Sequence, residues 1–325
     1  MNGYPVVRVG ARLRMVLLAF SVPIIAGCQG LLFGTLGVAG RTQGIEVRRG
    51  VIFDPIHKLA LDVYRPTGAI DAPVVVFFYG GSWKEGTRAW YRFVGESLAK
   101  RGLVVVIPDY RKYPEVRFPA FVEDAANAVR FAHDHAADYG GDAQAFFVMG
   151  HSAGAYIGAM LATDARYLDA VGMKPRDLSG FIGLAGPYDF APITDPAIRP
   201  IFGASVEEQQ AAQPVNHVGG DEPPMLLLHG RADNTVWPTN SEALARRLRD
   251  AGEPVELKFY PGIGHARILL SLSPLLSGWS SALDDSLRFI DACLGVGQRR
   301  ARSGERARAS PHPTLDPEPS KEPVQ

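Results

Sequence analysis

The residues with the most chemical content are Gly150-His151-Ser152-Ala153-Gly154. A serine hydroxyl is a weak nucleophile on its own, so the setting of the pattern matters. It follows the apolar run Phe146-Phe147-Val148-Met149 and opens a stretch, Ser152 to Thr163, rich in Ala and Gly. A strand that turns sharply into a helix needs glycine on both flanks, and it holds the serine hydroxyl out above the sheet edge. The helix N-terminus behind it favours developing negative charge, and the Ala153 N–H becomes an oxyanion donor. The chemistry such a turn serves is acyl transfer through a serine.

Ser152 then needs a base, and the base needs a partner. On a turn of this kind the chain order is Ser, Asp or Glu, then His. Leu226-Leu227-Leu228-His229-Gly230-Arg231-Ala232-Asp233 is an apolar run leading into a loop that carries Asp233. Phe259-Tyr260-Pro261-Gly262-Ile263-Gly264-His265 leads in the same way to His265. The expected roles are His265 as the proton carrier and Asp233 as the group that fixes its tautomer and stabilises its charged form. His229 and His151 compete with His265. His229 is read as orienting the Asp233 loop, and His151 as lying beside the hydroxyl. Asp189, after Gly186-Pro187-Tyr188, is the alternative to Asp233.

Tyr79-Gly80-Gly81-Ser82-Trp83 follows another apolar run. Consecutive glycines let backbone N–H groups approach a bound carbonyl, so Gly81 and Ser82 are the expected second oxyanion donors. Trp83, His151 and Tyr188 are expected to border the substrate, with core packing as the alternative for Trp83.

These residues must be carried by a scaffold, and the scaffold is legible. Val51–Phe53, Leu59–Tyr64, Val74–Tyr79, Leu103–Ile107, Ala145–Met149, Gly180–Leu184, Met225–Leu228 and Val255–Tyr260 read as strands. Several are unbroken rather than alternating, as suits strands buried on both faces of a parallel sheet. Between them, Trp90–Arg101, Phe121–Asp138, Ser152–Thr163, Ser241–Ala251 and part of Leu276–Leu294 have helical spacing. Strands alternating with helices predict an α/β fold, a mostly parallel central sheet flanked by helices on both faces. Every proposed site residue follows the carboxyl end of a strand, where open α/β sheets place their sites. Residues 188–224, rich in Pro and Gln, break the rhythm and could form a small cap.

The ends read differently. Arg8, Arg12 and Arg14 precede an uncharged run from Met15 to Ala26, which has the form of an export signal. Ile25-Ala26-Gly27-Cys28 resembles a bacterial lipobox. That implies cleavage of residues 1–27, a lipid on Cys28, and a chain anchored to a membrane of the cell envelope. The anchor would lie on the periplasmic side or in the outer membrane of a Gram-negative cell. Residues 28–49 read as a tether, 50–296 as the folded domain, and the Arg-rich then Pro-rich stretch 297–325 as a disordered tail.

Composition narrows the class. The 325 residues include 34 basic and 34 acidic ones, so the net charge is +0 and nothing points to nucleic acid as a partner. With 46% hydrophobic residues the chain can bury a large core. Its 2 cysteines, Cys28 and Cys293, lack metal-ligand spacing.

Taken together, Gly80-Gly81-Ser82-Trp83, Asp109-Tyr110-Arg111, Asp124, Tyr139-Gly140-Gly141-Asp142 and Gly150-His151-Ser152-Ala153-Gly154 resemble the esterase/lipase branch of α/β-hydrolases with an H-G-G-x-W loop. Within it, the resemblance is to the group holding kynurenine formamidases, prenylcysteine methylesterases and feruloyl or acetyl-xylan esterases. It implies hydrolysis of a small-molecule carboxylic ester through an acyl-enzyme, without cofactor. One position departs: Tyr79 stands where the family usually has His, which bears on substrate preference more than on activity. Two other readings compete, an amide hydrolase using the same three residues and a non-catalytic lipoprotein scaffold.

Overall fold

A computed structural model describes residues 43–308, with side chains through residue 295. The export signal, Cys28, most of the 28–49 tether and residues 309–325 of the tail lie outside the described residues. Eight strands form one sheet: β1 (Ile45–Asp54), β2 (Leu59–Pro66), β3 (Ala72–Phe78), β4 (Val104–Pro108), β5 (Gly141–His151), β6 (Gly180–Leu184), β7 (Met225–Gly230) and β8 (Val255–Tyr260). Their order across the sheet is β1-β2-β4-β3-β5-β6-β7-β8. β2 is antiparallel to β1 and β4, and the other neighbours are parallel. The unbroken apolar runs lie at the centre: Val74 to Phe78 of β3 and Val104 to Ile107 of β4 are buried throughout. Burial on both faces is what removes the polar alternation from these strands.

The helices are α1 (Arg92–Ala99), α2 (Ala120–Asp134), α3 (Ala153–Thr163), α4 (Ala165–Asp169), α5 (Arg199–Phe202), α6 (Val206–Ala211), α7 (Thr239–Asp250), α8 (His265–Leu270) and α9 (Ala282–Arg308). The longer ones flank the sheet on both faces. α3 is buried along its whole length and packs on β3, β5 and β6. Its small residues permit this: a Cβ on Gly158 would lie 2.6 Å from the Phe181 ring.

The strand order reverses between β3 and β5, and this positions the site. β4 lies on one side of β3 and β5 on the other, so the loops leaving β3 and β5 diverge and open a crevice at their carboxyl ends. The pairing Phe78↔Gly150 places the glycine loop after β3 beside the turn after β5.

Four details differ from the sequence expectation. The first strand begins at Ile45, inside the expected tether 28–49 and ahead of the expected start at Val51, and its residues through Arg48 pair with β2. The helix expected over Phe121–Asp138 ends at Asp134, and a 3-10 turn, Ala137–Tyr139, leads to Gly140 in the left-handed region at φ 75°. The last helix runs on to Arg308, past the expected boundary at 296. The change in composition there removes apolar residues, yet Gln, Arg, Ala and Glu are good helix formers. Residues 188–224 hold α5 and α6, too short for periodicity to reveal. They pack inward: Phe118 N–H donates to the Ile201 carbonyl at 3.0 Å, and the Tyr156 hydroxyl donates to the Ala212 carbonyl at 2.8 Å.

Candidate active site

The turn after β5 is held by backbone geometry. Ser152 has φ 55° and ψ −123°, a conformation an L-residue adopts only under constraint. Its N–H donates to the Leu184 carbonyl of β6 at 2.9 Å. A Cβ on Gly150 would lie 2.4 Å from the Gly154 oxygen, and a Cβ on Gly154 would lie 2.0 Å from the Phe78 oxygen of β3. Each flanking glycine is therefore required by a specific backbone atom.

His265 has farther to come. β6 and β7 separate β8 from β5, and at ~4.8 Å per strand the loop must return roughly 14 Å. It does so by lying across the end of β7. The Ala232 N–H donates to the Ile263 carbonyl at 3.0 Å, and a Cβ on Gly230 beneath it would sit 2.1 Å from that oxygen. His265 then opens α8 instead of sitting in a loop. Its Nε2 lies 2.8 Å from Ser152 Oγ, and its Nδ1 lies 2.7 Å from Asp233 Oδ2. With Nδ1–H donating to the carboxylate, Nε2 is left to accept the serine proton.

Asp233 is buried and thoroughly bonded. Its Oδ1 accepts the N–H groups of Thr235 and Val236, each at 2.9 Å. His229 Nε2 stands 3.3 Å from its Oδ2 and donates to the Val236 carbonyl at 2.9 Å. The Ser241 hydroxyl lies 2.7 Å from His229 Nδ1 and fixes that ring in turn. Burial alone would raise the Asp233 carboxyl. The bonds from His229 and His265 outweigh it and hold the group well below the usual carboxylate range. The sequence reading has His229 orienting the Asp233 loop; its ring bonds that loop at Val236 and also stands beside the carboxylate, while Ser241 behind it has no signal in the sequence.

His151 anchors the other side of His265. Burial, reinforced by the charge of His265, pushes its imidazole down to about 3, so it is neutral. Its Nε2 lies 3.1 Å from the His265 carbonyl oxygen, and the two rings are 4.8 Å apart.

The glycine loop meets Ser152 directly. A Cβ on Gly80 would lie 3.0 Å from Ser152 Cβ. Gly81, Ser82 and Trp83 follow with φ values of 133°, 52° and 57°, three successive residues in the left-handed half of backbone space. Gly81 and Ser82 are the donors expected from the sequence; Gly80 before them has a different part, since only a residue without a Cβ lets the loop come this close to Ser152. Ala153 is the first residue of α3, and a helix gives its first N–H groups no internal acceptor.

The residues expected to border the substrate are buried instead: Trp83 is 4% exposed, His151 5% and Tyr188 0%. Trp83 packs among the rings of Phe121, Tyr156, Phe190 and Phe202, the packing alternative raised for it. Tyr188 folds back onto its own strand exit, where a Cβ on Gly183 would lie 2.0 Å from its hydroxyl oxygen. Two glycines leave a slot, and the ring fills it. Asp189 stays apart from the base, with its N–H bonded to Asn240 Oδ1 at 2.9 Å.

Two other clusters have no part in this arrangement. A cavity of about 1000 Å³, lined by residues such as Pro73, Met225, Val255, Phe289 and Cys293, opens at the amino ends of the strands, the opposite edge of the sheet. Asp54, His57 and Asp124 bring possible ligand atoms within 4.8 Å of one another. Their lone pairs are engaged, by the His57–Asp54 bond at 2.7 Å and by Arg111, which reaches both oxygens of Asp124.

Residues 61–248 match the BD-FAE family model. The isoprenylcysteine α-carbonyl methylesterase of Arabidopsis thaliana is 28% identical over 76% of this chain and 62% of its own. The chain spans 60% to 64% of the length of the plant relatives it matches. Among solved structures, the thermophilic esterase Est2 of Thermogutta terrifontis superposes with TM-score 0.62 at 26% identity, over 77% of this chain and 92% of that one. Esterase B of Lactobacillus rhamnosis superposes with TM-score 0.71 over 86% and 95%, at 16% identity, a likeness of fold alone.

Proposed function

This chain belongs to the BD-FAE family, and we propose that it is a serine hydrolase of small-molecule carboxylic esters, with Ser152, His265 and Asp233 as its triad. The observation that carries this reading is the continuous line Ser152 Oγ, His265 Nε2, His265 Nδ1, Asp233 Oδ2, with heavy-atom distances of 2.8 and 2.7 Å across its two hydrogen bonds. The esterase names of the relatives support the ester as substrate class.

The chemistry follows from the geometry. Ser152 Oγ attacks the ester carbonyl as its proton passes to His265 Nε2. The new imidazolium is stabilised by the buried Asp233 carboxylate, which is ionised across the working pH range. Charge on the carbonyl oxygen is met by the N–H of Ala153 and by those of the glycine loop. His265 gives its proton to the departing alcohol, leaving an acyl-Ser152 ester. Water, deprotonated by the same nitrogen, attacks that ester; the imidazolium then returns the proton to Ser152 Oγ as the acid departs.

The test is hydrolysis of p-nitrophenyl acetate, butyrate and octanoate by the wild type and by Ser152→Ala. We expect the variant to lose about 10⁴-fold or more in kcat/KM while its melting temperature holds. Equal turnover by the two proteins, or a wild type that neither hydrolyses these esters nor reacts with a serine-directed phosphonate, overturns the reading.

A further inference from the structure

Tyr79 precedes the glycine pair, and two tyrosine rings stack on it: Tyr91 at 5.3 Å and Tyr110 at 4.8 Å between centroids. Their hydroxyls go to successive carbonyls of the loop. Tyr110 donates to the Tyr79 carbonyl at 2.9 Å, and Tyr91 donates to the Gly80 carbonyl at 3.2 Å. The next carbonyl, that of Gly81, accepts the N–H groups of Lys84 at 3.0 Å and Glu85 at 2.9 Å. All three carbonyls are therefore held.

In a trans peptide unit the C=O and the N–H point in opposite directions. Fixing the Gly80 carbonyl sets the direction of the Gly81 N–H, and fixing the Gly81 carbonyl sets that of Ser82. The Ser82 donor is set by backbone within its own turn. The Gly81 donor has a side chain behind it, and that side chain is Tyr91.

We infer that Tyr91 is a positioning residue for the reaction: its hydroxyl holds the Gly80 carbonyl and so aims the Gly81 N–H at the oxyanion formed on Ser152. The inference rests on the serine-esterase reading above. Tyr91 is well placed for this task. It is 4% exposed and ends the 3-10 turn Arg88–Tyr91. Arg88 ties that turn to Asp62 at 2.8 Å and to Asp109. Asp109 in turn accepts the Tyr79 hydroxyl at 2.9 Å. A Cβ on Gly86 would stand 2.7 Å from the Gly80 oxygen, so a glycine there keeps the approach to that carbonyl open.

Tyr91→Phe keeps the ring stack and removes only the hydroxyl. An oxyanion donor acts in the transition state and not on the ground-state ester. We therefore expect kcat on p-nitrophenyl butyrate to fall about 10-fold to 100-fold with KM within about twofold. A trifluoromethyl ketone adds Ser152 Oγ to its carbonyl carbon and places an oxyanion at the same point, so its inhibition constant should rise by the same factor. Tyr110→Phe frees the Tyr79 carbonyl, which sets Gly80 N–H and neither candidate donor, and should move kcat less than threefold. An unchanged kcat in Tyr91→Phe overturns the inference. So does a fall in kcat with no change in the ketone's inhibition constant, since a merely structural lesion would act that way. In both cases a wild type that still depends on Ser152 leaves the esterase reading standing. A wild type indifferent to Ser152→Ala removes both.

Discussion

The two halves of the site are built from different materials. Around Ser152 and the glycine loop the backbone is the instrument: Gly81, Ser82, Trp83 and Ser152 all have positive φ, and Gly80, Gly150 and Gly154 face atoms within 3.0 Å of where a Cβ would stand. Around His265 the instrument is side-chain hydrogen bonding, with Asp233 gathering bonds from His229, His265, Thr235 and Val236. The nucleophile half is consequently intolerant of added atoms and indifferent to pH. The acid–base half accepts atoms of similar shape and depends on where protons sit. Substitutions that alter one property and preserve the other should separate them.

The largest effect is expected from a change of charge without change of shape. Asp233→Asn can keep an oxygen toward the N–H groups of Thr235 and Val236. It offers His265 Nδ1 no carboxylate, so the tautomer that leaves Nε2 free to accept a proton loses its support. We expect kcat to fall about 10⁴-fold with the fold intact, measured on p-nitrophenyl butyrate beside thermal unfolding. A loss under tenfold would mean that another group, with Asp189 the first to examine, orients the base.

The second effect reverses the logic, adding one carbon and no charge. In an ordinary helix, Gly→Ala stabilises by about 0.5–1 kcal/mol. At Gly154 the new Cβ would lie 2.0 Å from the Phe78 oxygen, a strand backbone atom that cannot step aside. Gly154→Ala should instead destabilise by about 1–3 kcal/mol and lower activity, as α3 moves off β3 and takes Ser152 with it. Denaturant unfolding would show it, and a variant as stable as the wild type would mean that the turn has slack.

The same contrast explains what the sequence disclosed. The nucleophile half is written locally: Gly150, Ser152 and Gly154 fall within five residues, and the glycines are there because the turn demands them. The chain order Ser152, Asp233, His265 and the strands that carry these three residues were readable because apolar runs mark strands buried on both faces. What was not readable depends on rings and chain paths meeting from afar. Tyr188 looked like a pocket residue by its place after a strand, yet the notch at Gly183 and Gly186 takes its ring into the core. Trp83 and His151 follow the same pattern: position along the chain put them near Ser152, and packing turned them inward. Tyr91 reaches the Gly80 carbonyl from 11 residues away along a turn, and no spacing rule anticipates that.

The effect that vanishes at neutral pH is also the most selective for the acid–base half. His151 is buried and neutral, because burial pushes its imidazole down to about 3 from an ordinary 6.5. Between these values the unfolded chain binds a proton there and the folded chain does not, so acid favours unfolding in this window. This one group should contribute a slope approaching ~1.4 kcal/mol of lost stability per pH unit as pH falls below 6.5. Asp233, held low in the fold, contributes stability that persists above about pH 4 and is lost only below it. From pH 6.5 down to about 4, then, the two groups are separable. His151→Gln retains an N–H donor for the His265 carbonyl and cannot titrate. Urea unfolding at pH 7.5, 6, 5 and 4.5 should give a shallower decline for the variant, so that any wild-type advantage at neutral pH narrows on acidification. Parallel curves for the two proteins would mean that His151 takes up its proton in the folded state, and that the bond to the His265 carbonyl survives a charged ring.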